Sequence, residues 1–155
     1  MMRRLLCVVG ALGLAGCLSS TEAPSGTPSD PTTETFASNL GVNISQMQKT
    51  EHGVFYKEVS VGTGATLSAP VTVVITYRGF LKNGALFDSG AQVPLPLSNA
   101  AFGFQEGMLG MHVGGERLIV IPSELGYGGH DVITPSGTIP ANSTLVFDVH
   151  LDQIP

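Results

Sequence analysis

The chain has 155 residues, with seven Lys and Arg against twelve Asp and Glu and a net charge of −5. An acidic chain with few, scattered basic residues is poorly suited to binding nucleic acid or an anionic membrane surface. Its four His lack metal-ligand spacing, and it contains no phosphate-binding glycine loop and no serine nucleophile elbow, so we predict no metal and no cofactor.

The first seventeen residues have the layout of a secretory signal. Arg3 and Arg4 precede an apolar run from 5 to 14, which is too short to span a bilayer, and small residues lead to Cys17. Leu14-Ala15-Gly16-Cys17 resembles a bacterial lipobox. We therefore predict a lipoprotein signal peptide over 1–16 and lipid attachment at Cys17. The alternative is an ordinary signal peptide that happens to contain a cysteine.

Lipid on Cys17 predicts a bacterial cell-envelope location, anchored to the membrane through the acyl chains. Leu18 follows the cysteine, where aspartate would favour retention at the inner membrane, so we expect the outer membrane, facing the periplasm. Signal removal leaves five Lys and Arg against twelve Asp and Glu, a net charge of −7. It also removes Cys7, so no disulfide is expected.

Two segments separate the anchor from the main domain. Residues 17–35 are rich in Ser, Thr and Pro, which predicts a flexible, partly extended tether. In residues 36–50, Leu40, Val42 and Ile44 alternate with polar residues, which favours an ordered arm packed on the domain. Residues 51–155 suit one compact domain by size.

Strand patterns dominate that domain. We predict strands over 54–61, 71–77, 116–121 and 144–151, of which 71–77 is richest in β-branched residues. Asn83-Gly84 predicts a type I′ turn between strands at 80–82 and 85–87. The one good helix candidate, Phe104–Met111, contains two glycines and would bury Phe104, Met108 and Met111.

Four motifs occur in the same order and with the same spacing as in one protein family. They are Tyr77-Arg78-Gly79, Phe87-Asp88-Ser89-Gly90, Leu125-Gly126-Tyr127-Gly128 and the segment from Thr144 to Leu151. On these motifs the chain resembles the FKBP-type peptidyl-prolyl isomerases. The resemblance implies an α+β fold, in which a curved antiparallel β-sheet wraps around one short α-helix.

The resemblance also implies a reaction that breaks no covalent bond. Rotation about a prolyl peptide bond has a barrier of about 20 kcal/mol, and an apolar, aromatic pocket favours the twisted amide by excluding water. The implied partners are proline-containing polypeptides, with tacrolimus or rapamycin as ligands. The family's catalytic positions correspond here to Tyr77, Phe87, Asp88, Phe104, Tyr127 and Phe147. Its substrate-binding positions correspond to Leu95, Leu97, Ala100, Ala101 and Ile139, with the Ala101 backbone N–H as a donor.

The chain departs from the family pattern inside this site. Phe104 stands where the family usually has tryptophan, and Ala100-Ala101 replace a Val-Ile pair. Val93 replaces an aromatic residue and Thr138 an aliphatic one. Since these changes would widen the pocket, a non-catalytic binding or chaperone module on the cell envelope is the alternative to an isomerase. The third hypothesis is a purely structural envelope lipoprotein that has no pocket.

Overall fold

The computed structural model describes residues 26–155, in which one antiparallel sheet of six strands has the order β1-β2-β5-β8-β3-β4. The elements are β1 Gln48–Lys49, β2 Phe55–Ser60, β3 Thr72–Leu81, β4 Leu86–Pro96, α1 Phe102–Met108, β5 Glu116–Ile121, β6 Val132–Thr134, β7 Gly137–Ile139 and β8 Leu145–Gln153. The predicted signal peptide, Cys17 and the first part of the tether lie outside the described residues. Within residues 26–155 no helix has the length and apolar character needed to cross a membrane.

Alternation along β8 divides the sheet into two faces. Phe147 and Val149 belong to the main core, which lies on the face that packs against α1 and is called the inner face below. Val146 belongs to a smaller cluster on the opposite, outer face. This period of two is the expected pattern for a sheet with both faces partly covered. The α+β fold with a curved sheet and one short helix is confirmed.

The helix α1 is shorter and earlier than the sequence predicted. It begins at Phe102 and ends at Met108, because Leu109 has an extended backbone and Gly110 a φ of +83°. Phe104, Met108 and Met111 are nevertheless buried, as predicted. Its closest neighbour in the sheet is β5, and a Cβ on Gly107 would lie only 2.5 Å from Ile119.

The hairpin between β3 and β4 forms, but its predicted turn type is wrong. A type I′ turn requires positive φ at both central residues, whereas only Gly84 has it, at +87°. The Gly84 N–H donates to the Leu81 carbonyl and the Leu81 N–H to the Ala85 carbonyl, both at 2.9 Å. The loop therefore has three residues, 82–84, and the register shifts by one residue at Gly79 and Phe80.

Two further elements differ from the sequence predictions. The predicted strand at 85–87 does not end before Asp88 but continues as β4 as far as Pro96, with a bulge. The long connection after Gly128 contains a small hairpin of β6 and β7. Each of these two strands has three residues, too few for a recognisable alternation.

The described residues that precede β2 lie against the domain. Leu40 is buried with Phe55, Leu118 and Val146 on the outer face, and the arm residues Phe36, Val42, Ile44 and Met47 pack around them. Residues 26–35, within the predicted flexible tether, are also in contact with the domain. The Ser29 N–H donates to the Ser123 hydroxyl at 2.9 Å, and Pro31 is buried. Over these ten residues the structure differs from the flexible, partly extended tether that their composition predicts.

Candidate active site

A pocket of about 260 Å³ opens on the inner face of the sheet, between β3, β4, α1 and the loop that follows β5. Its lining is mainly apolar, with two phenols, one carboxylate and one amide among the polar groups. The lining residues are Ile75, Tyr77, Asp88, Val93, Leu95, Asn99, Ala100, Ala101, Phe104, Tyr127, Leu145 and Phe147.

Aromatic rings form the floor of this pocket. Phe104 and Phe147 meet edge to face with ring centroids 4.9 Å apart, and the Tyr77 ring lies 6.5 Å from Phe147. Phe87 contacts Phe147 from behind, also edge to face, at 5.5 Å. Edge-to-face pairs are favourable because the ring edge is positive and the face negative. The cluster therefore holds the two floor rings in one arrangement.

Gly79 makes this aromatic packing possible. It lies on β3, where it pairs with Phe147 of β8 on one side and with Asp88 of β4 on the other. A Cβ at this position would lie 2.7 Å from Phe87 and 2.8 Å from Phe147. The glycine in the motif Tyr77-Arg78-Gly79 thus leaves room for the rings that support the floor.

Asp88 is held at one wall by two hydrogen bonds. The Tyr77 hydroxyl donates to Asp88 Oδ2 and the Ser89 N–H donates to Oδ1, both at 2.9 Å. Burial, together with the hydrogen bond to Asp88 and its charge, raises the pKa of Tyr77 to about 12. The Tyr77 phenol is therefore a permanent donor near neutral pH, and it fixes the carboxylate beside the apolar floor.

Tyr127 stands at the rim, with 41% of its surface exposed. Partial burial, assisted by the charge of Asp88, raises the pKa of this phenol as well. No described residue accepts a hydrogen bond from its hydroxyl. The group is thus available to donate to a ligand that enters the pocket.

The opposite rim is formed by the turn that precedes α1. The Ala101 carbonyl caps the helix by accepting from Phe104 and Gln105, and Gln105 Nε2 donates to the Ala100 carbonyl at 2.8 Å. The Ala101 N–H has no acceptor within residues 26–155. It is therefore a second free donor at the pocket, fixed by the cap and by Gln105.

The neighbouring Phe102 does not fill the space beside the small side chains of Ala100 and Ala101. Phe102 is 51% exposed, and its ring packs edge to face on His52 at 5.2 Å instead of turning into the pocket. Phe102 therefore does not refill the space beside Ala100 and Ala101. Thr138 is exposed on the small hairpin and does not line the pocket, so the prediction that it widens the pocket is wrong.

A bulge in β4 places Val93 in the pocket wall. Gln92 has a φ of +50°, rare for a residue with a side chain, and its N–H donates to the Thr76 hydroxyl at 3.1 Å. Bulges of this kind redirect the side chains that follow. In this strand Val93 and Leu95 then line the pocket.

The structure brings together eight of the eleven side chains predicted for the site: Tyr77, Asp88, Leu95, Ala100, Ala101, Phe104, Tyr127 and Phe147. The other three, Phe87, Leu97 and Ile139, are buried in the core and do not line the pocket. Sequence reasoning missed Ile75 and Leu145 as lining residues, although each lies two positions before a predicted site residue on the same strand. It also missed Asn99, which no motif marked.

Two other observations bear on alternative sites. Within the described residues no group of His, Cys, Asp and Glu side chains is placed to hold a metal ion. A larger groove of about 540 Å³ lies on the outer face, next to Leu40 and Arg78. We favour the smaller pocket because its aromatic floor and free donors converge on one volume, whereas the groove is lined by mixed charges.

Comparison with known proteins gives a consistent picture. The family model for FKBP-type peptidyl-prolyl cis-trans isomerase matches residues 64–152. The FKBP-type isomerase FkpA of Aeromonas hydrophila is 39% identical over 109 residues, covering 68% of this chain and 39% of that protein. The FK506-binding protein of Neisseria meningitidis serogroup B is 35% identical over 108 residues, covering 66% of this chain and 96% of that protein.

Solved structures agree with these relatives. The crystal structure of FkpA from Escherichia coli superposes with a TM-score of 0.60 and 36% identity, covering 69% of this chain and 50% of that one. The chain spans less than half the length of several curated relatives that it matches.

Proposed function

Because this chain belongs to the FKBP-type peptidyl-prolyl cis-trans isomerase family, we propose that it catalyses cis-trans isomerisation of Xaa-Pro bonds in folding polypeptides. The observation that supports this most directly is the pocket itself. An aromatic floor of Phe104 and Phe147 lies between two free donors, the Tyr127 hydroxyl and the Ala101 N–H.

The geometry suits the physics of the reaction. A planar prolyl amide is polar and well hydrated, while the twisted amide at the barrier has lost resonance and much of its dipole. When the proline ring occupies the aromatic floor, water that stabilises the planar form is displaced. Each 1.4 kcal/mol of preference for the twisted form accelerates the reaction about tenfold.

The polar groups orient the substrate within this apolar volume. The Tyr127 hydroxyl and the Ala101 N–H would each donate to a substrate carbonyl, which holds the chain on both sides of the rotating bond. Asp88, fixed by Tyr77, would place a carboxylate beside that bond. None of these groups needs to transfer a proton, because no bond is made or broken.

A protease-free assay of Xaa-Pro isomerisation, with tacrolimus as a competitor, tests the proposal. We expect catalysis that tacrolimus inhibits, and a loss in Tyr127→Phe of about fivefold in kcat/KM, the value of one hydrogen bond. Phe102→Ala is the matched control, since that ring lies beside the pocket without lining it. Equal losses in both variants, or none in either, would contradict the site assignment.

A non-catalytic binding or chaperone module is the second candidate. It is favoured by the open rim at Ala100 and Ala101, which weakens the exclusion of water from a bound proline. In that case the folded protein would suppress aggregation of an unfolded client without isomerase activity. Phe104→Ala would separate the two functions, since it should abolish isomerisation yet leave client binding by the rim intact.

We further propose that the protein acts at the bacterial cell envelope, anchored by lipid on Cys17. The support is the basic, apolar and small-residue layout of residues 1–17. Metabolic labelling with a fatty acid should tag the wild-type chain in the membrane fraction. Cys17→Ser should abolish labelling, and persistent labelling of that variant would refute the anchor.

A further inference from the structure

Residues 26–36, called the strap below, are fastened to the domain at several points. Asp30 closes a tight turn, accepting from the Thr32 N–H at 2.9 Å through its side chain and from the Thr33 N–H at 3.0 Å through its carbonyl. Further along, Glu34 accepts a 2.8 Å bond from Lys82 Nζ, and Pro31 is buried. The strap lies outside the residues matched by the family model.

The strap joins the domain at Ser123 through two reciprocal hydrogen bonds. The Ser29 N–H donates to the Ser123 hydroxyl at 2.9 Å, and the Ser123 N–H donates to the Ser29 hydroxyl at 2.7 Å. Ser123 is 1% exposed. Without Ser29 its buried N–H would lose its acceptor, which is costly in a site that water cannot reach.

Ser123 is also the residue on which the Tyr127 loop, residues 122–128, is built. Its carbonyl accepts from the Gly126 N–H at 3.1 Å and from the Gly128 N–H at 2.8 Å. These glycines flank Tyr127 on both sides. One buried serine thus binds the strap through its N–H and hydroxyl, and both flanks of the rim tyrosine through its carbonyl.

We propose that the strap holds the Tyr127 loop in its substrate-binding conformation, with Ser29 as a positioning residue that acts through Ser123. This inference rests on the proposed role of Tyr127 as a donor to a substrate carbonyl. Besides the bonds to Ser123, the loop is held by the Leu125 N–H, which donates to the Pro122 carbonyl at 3.0 Å, and by the Asn142 N–H, which donates to the Gly128 carbonyl at 2.8 Å. Since the Tyr127 side chain is itself at the surface, loss of the strap bonds would loosen the loop on its Ser123 side and let the phenol leave the rim.

The test uses the full chain and compares Ser29→Ala with Ser29→Thr, which keeps the hydroxyl. Ser38→Ala is the matched control, since Ser38 is an exposed serine in the same N-terminal region. Amide hydrogen exchange reports on the loop directly, because local opening frees individual N–H groups. We expect the Gly126 and Gly128 amides to exchange about fivefold faster in Ser29→Ala only, and the core Val149 amide to stay unchanged.

Isomerase kinetics test whether the effect reaches substrate through Tyr127. Ser29→Ala should raise KM about fivefold with little change in kcat, Ser29→Thr should restore KM, and Ser29→Ala should have no further effect in a Tyr127→Phe background. An equal loss in that background would overturn the positioning role. So would unchanged exchange of both glycine amides.

Failure of the proposed function can be recognised separately. If the folded wild-type protein shows no isomerisation, the proposed function is wrong, and the exchange measurement decides alone whether the strap holds the loop. Faster exchange in Ser29→Ala then supports the strap, and unchanged exchange overturns it.

Discussion

The two faces of the sheet differ in what they are built to do, although the same strands supply both. On the inner face of β8, Leu145 and Phe147 contribute to the core and to the pocket. On the outer face of the same strand, Val146 packs under the N-terminal arm, Asp148 pairs with Arg78, and His150 Nδ1 lies 3.1 Å from Asp152 Oδ1. Alternate residues of one strand thus face the pocket on one side of the sheet and the N-terminal arm on the other.

The two faces differ in how far their polar groups are exposed to water. The pocket on the inner face is lined mainly by apolar side chains with a few fixed polar groups, whereas the outer face keeps charges solvated, with the Arg78 side chain 61% exposed beside Asp148. On that face a hydrogen bond between two carboxyls raises the pKa of Glu116 next to Asp148. Ion pairs at the surface, such as that between Arg78 and Asp148, contribute little to stability. Changes on the two faces should therefore have different consequences.

The largest expected difference separates two adjacent buried residues of β8. Phe147→Ala removes the centre of the aromatic cluster and should cost about 3–5 kcal/mol of unfolding free energy together with most isomerase activity. Val146→Ala should cost about 2 kcal/mol and leave kcat/KM of the folded protein within twofold. Urea denaturation and the protease-free assay measure both quantities. An equal loss of activity in the two variants would mean that the faces are not functionally distinct.

A matched pair of carboxylates gives the next largest effect. Asp88→Ala frees the Tyr77 hydroxyl and removes the charge beside the pocket, so kcat/KM should fall about tenfold. Asp148→Ala removes the partner of the exposed Arg78 on the outer face and should leave kcat/KM unchanged. The comparison fails if Asp148→Ala reduces activity as strongly as Asp88→Ala.

The sequence predicted the parts of this molecule that depend on short-range pattern. β5 has the predicted bounds, and the motifs around Tyr77, Asp88, Tyr127 and Phe147 do meet at one pocket. The turn at Gly84 was predicted with the wrong type, because Asn-Gly is compatible with several loops and the register shift decides among them.

What could not be predicted depends on contacts between distant residues. Phe87 was predicted among the catalytic positions, but its ring packs on Phe147 and does not line the pocket, and only packing across the sheet determines which ring faces the cavity. Residues 26–35 have the composition of a flexible tether. Their order comes from bonds to Ser123, 94 positions away from Ser29 in the chain, which composition does not reveal.

The third prediction concerns the pocket floor on the inner face, where Phe104→Trp restores the indole ring that the family usually has. Phe104→Trp adds apolar surface at the floor, and the space left by Ala100 and Ala101 should accept it. Extra burial of about 1 kcal/mol would raise tacrolimus affinity about fivefold. The chain contains no tryptophan, so the new indole would report ligand binding by fluorescence. A destabilised variant with weaker binding would show instead that the floor is already filled.

The smallest expected effect comes from the Tyr77 phenol, whose pKa is raised to about 12 from an unfolded value of 10.0. Its raised pKa means that the folded state retains the phenolic proton longer than the unfolded chain. This contribution to stability is fully present below pH 10 and is lost as the pH rises toward 12. Because the phenol is only partly buried, the loss should not exceed about 1 kcal/mol. Denaturation midpoints of wild type and Tyr77→Phe should therefore fall by different amounts over this range, with the steeper fall in wild type. Equal slopes would mean that Tyr77 does not keep its proton for Asp88, and the carboxylate of the inner face would then be no better fixed than those of the outer face.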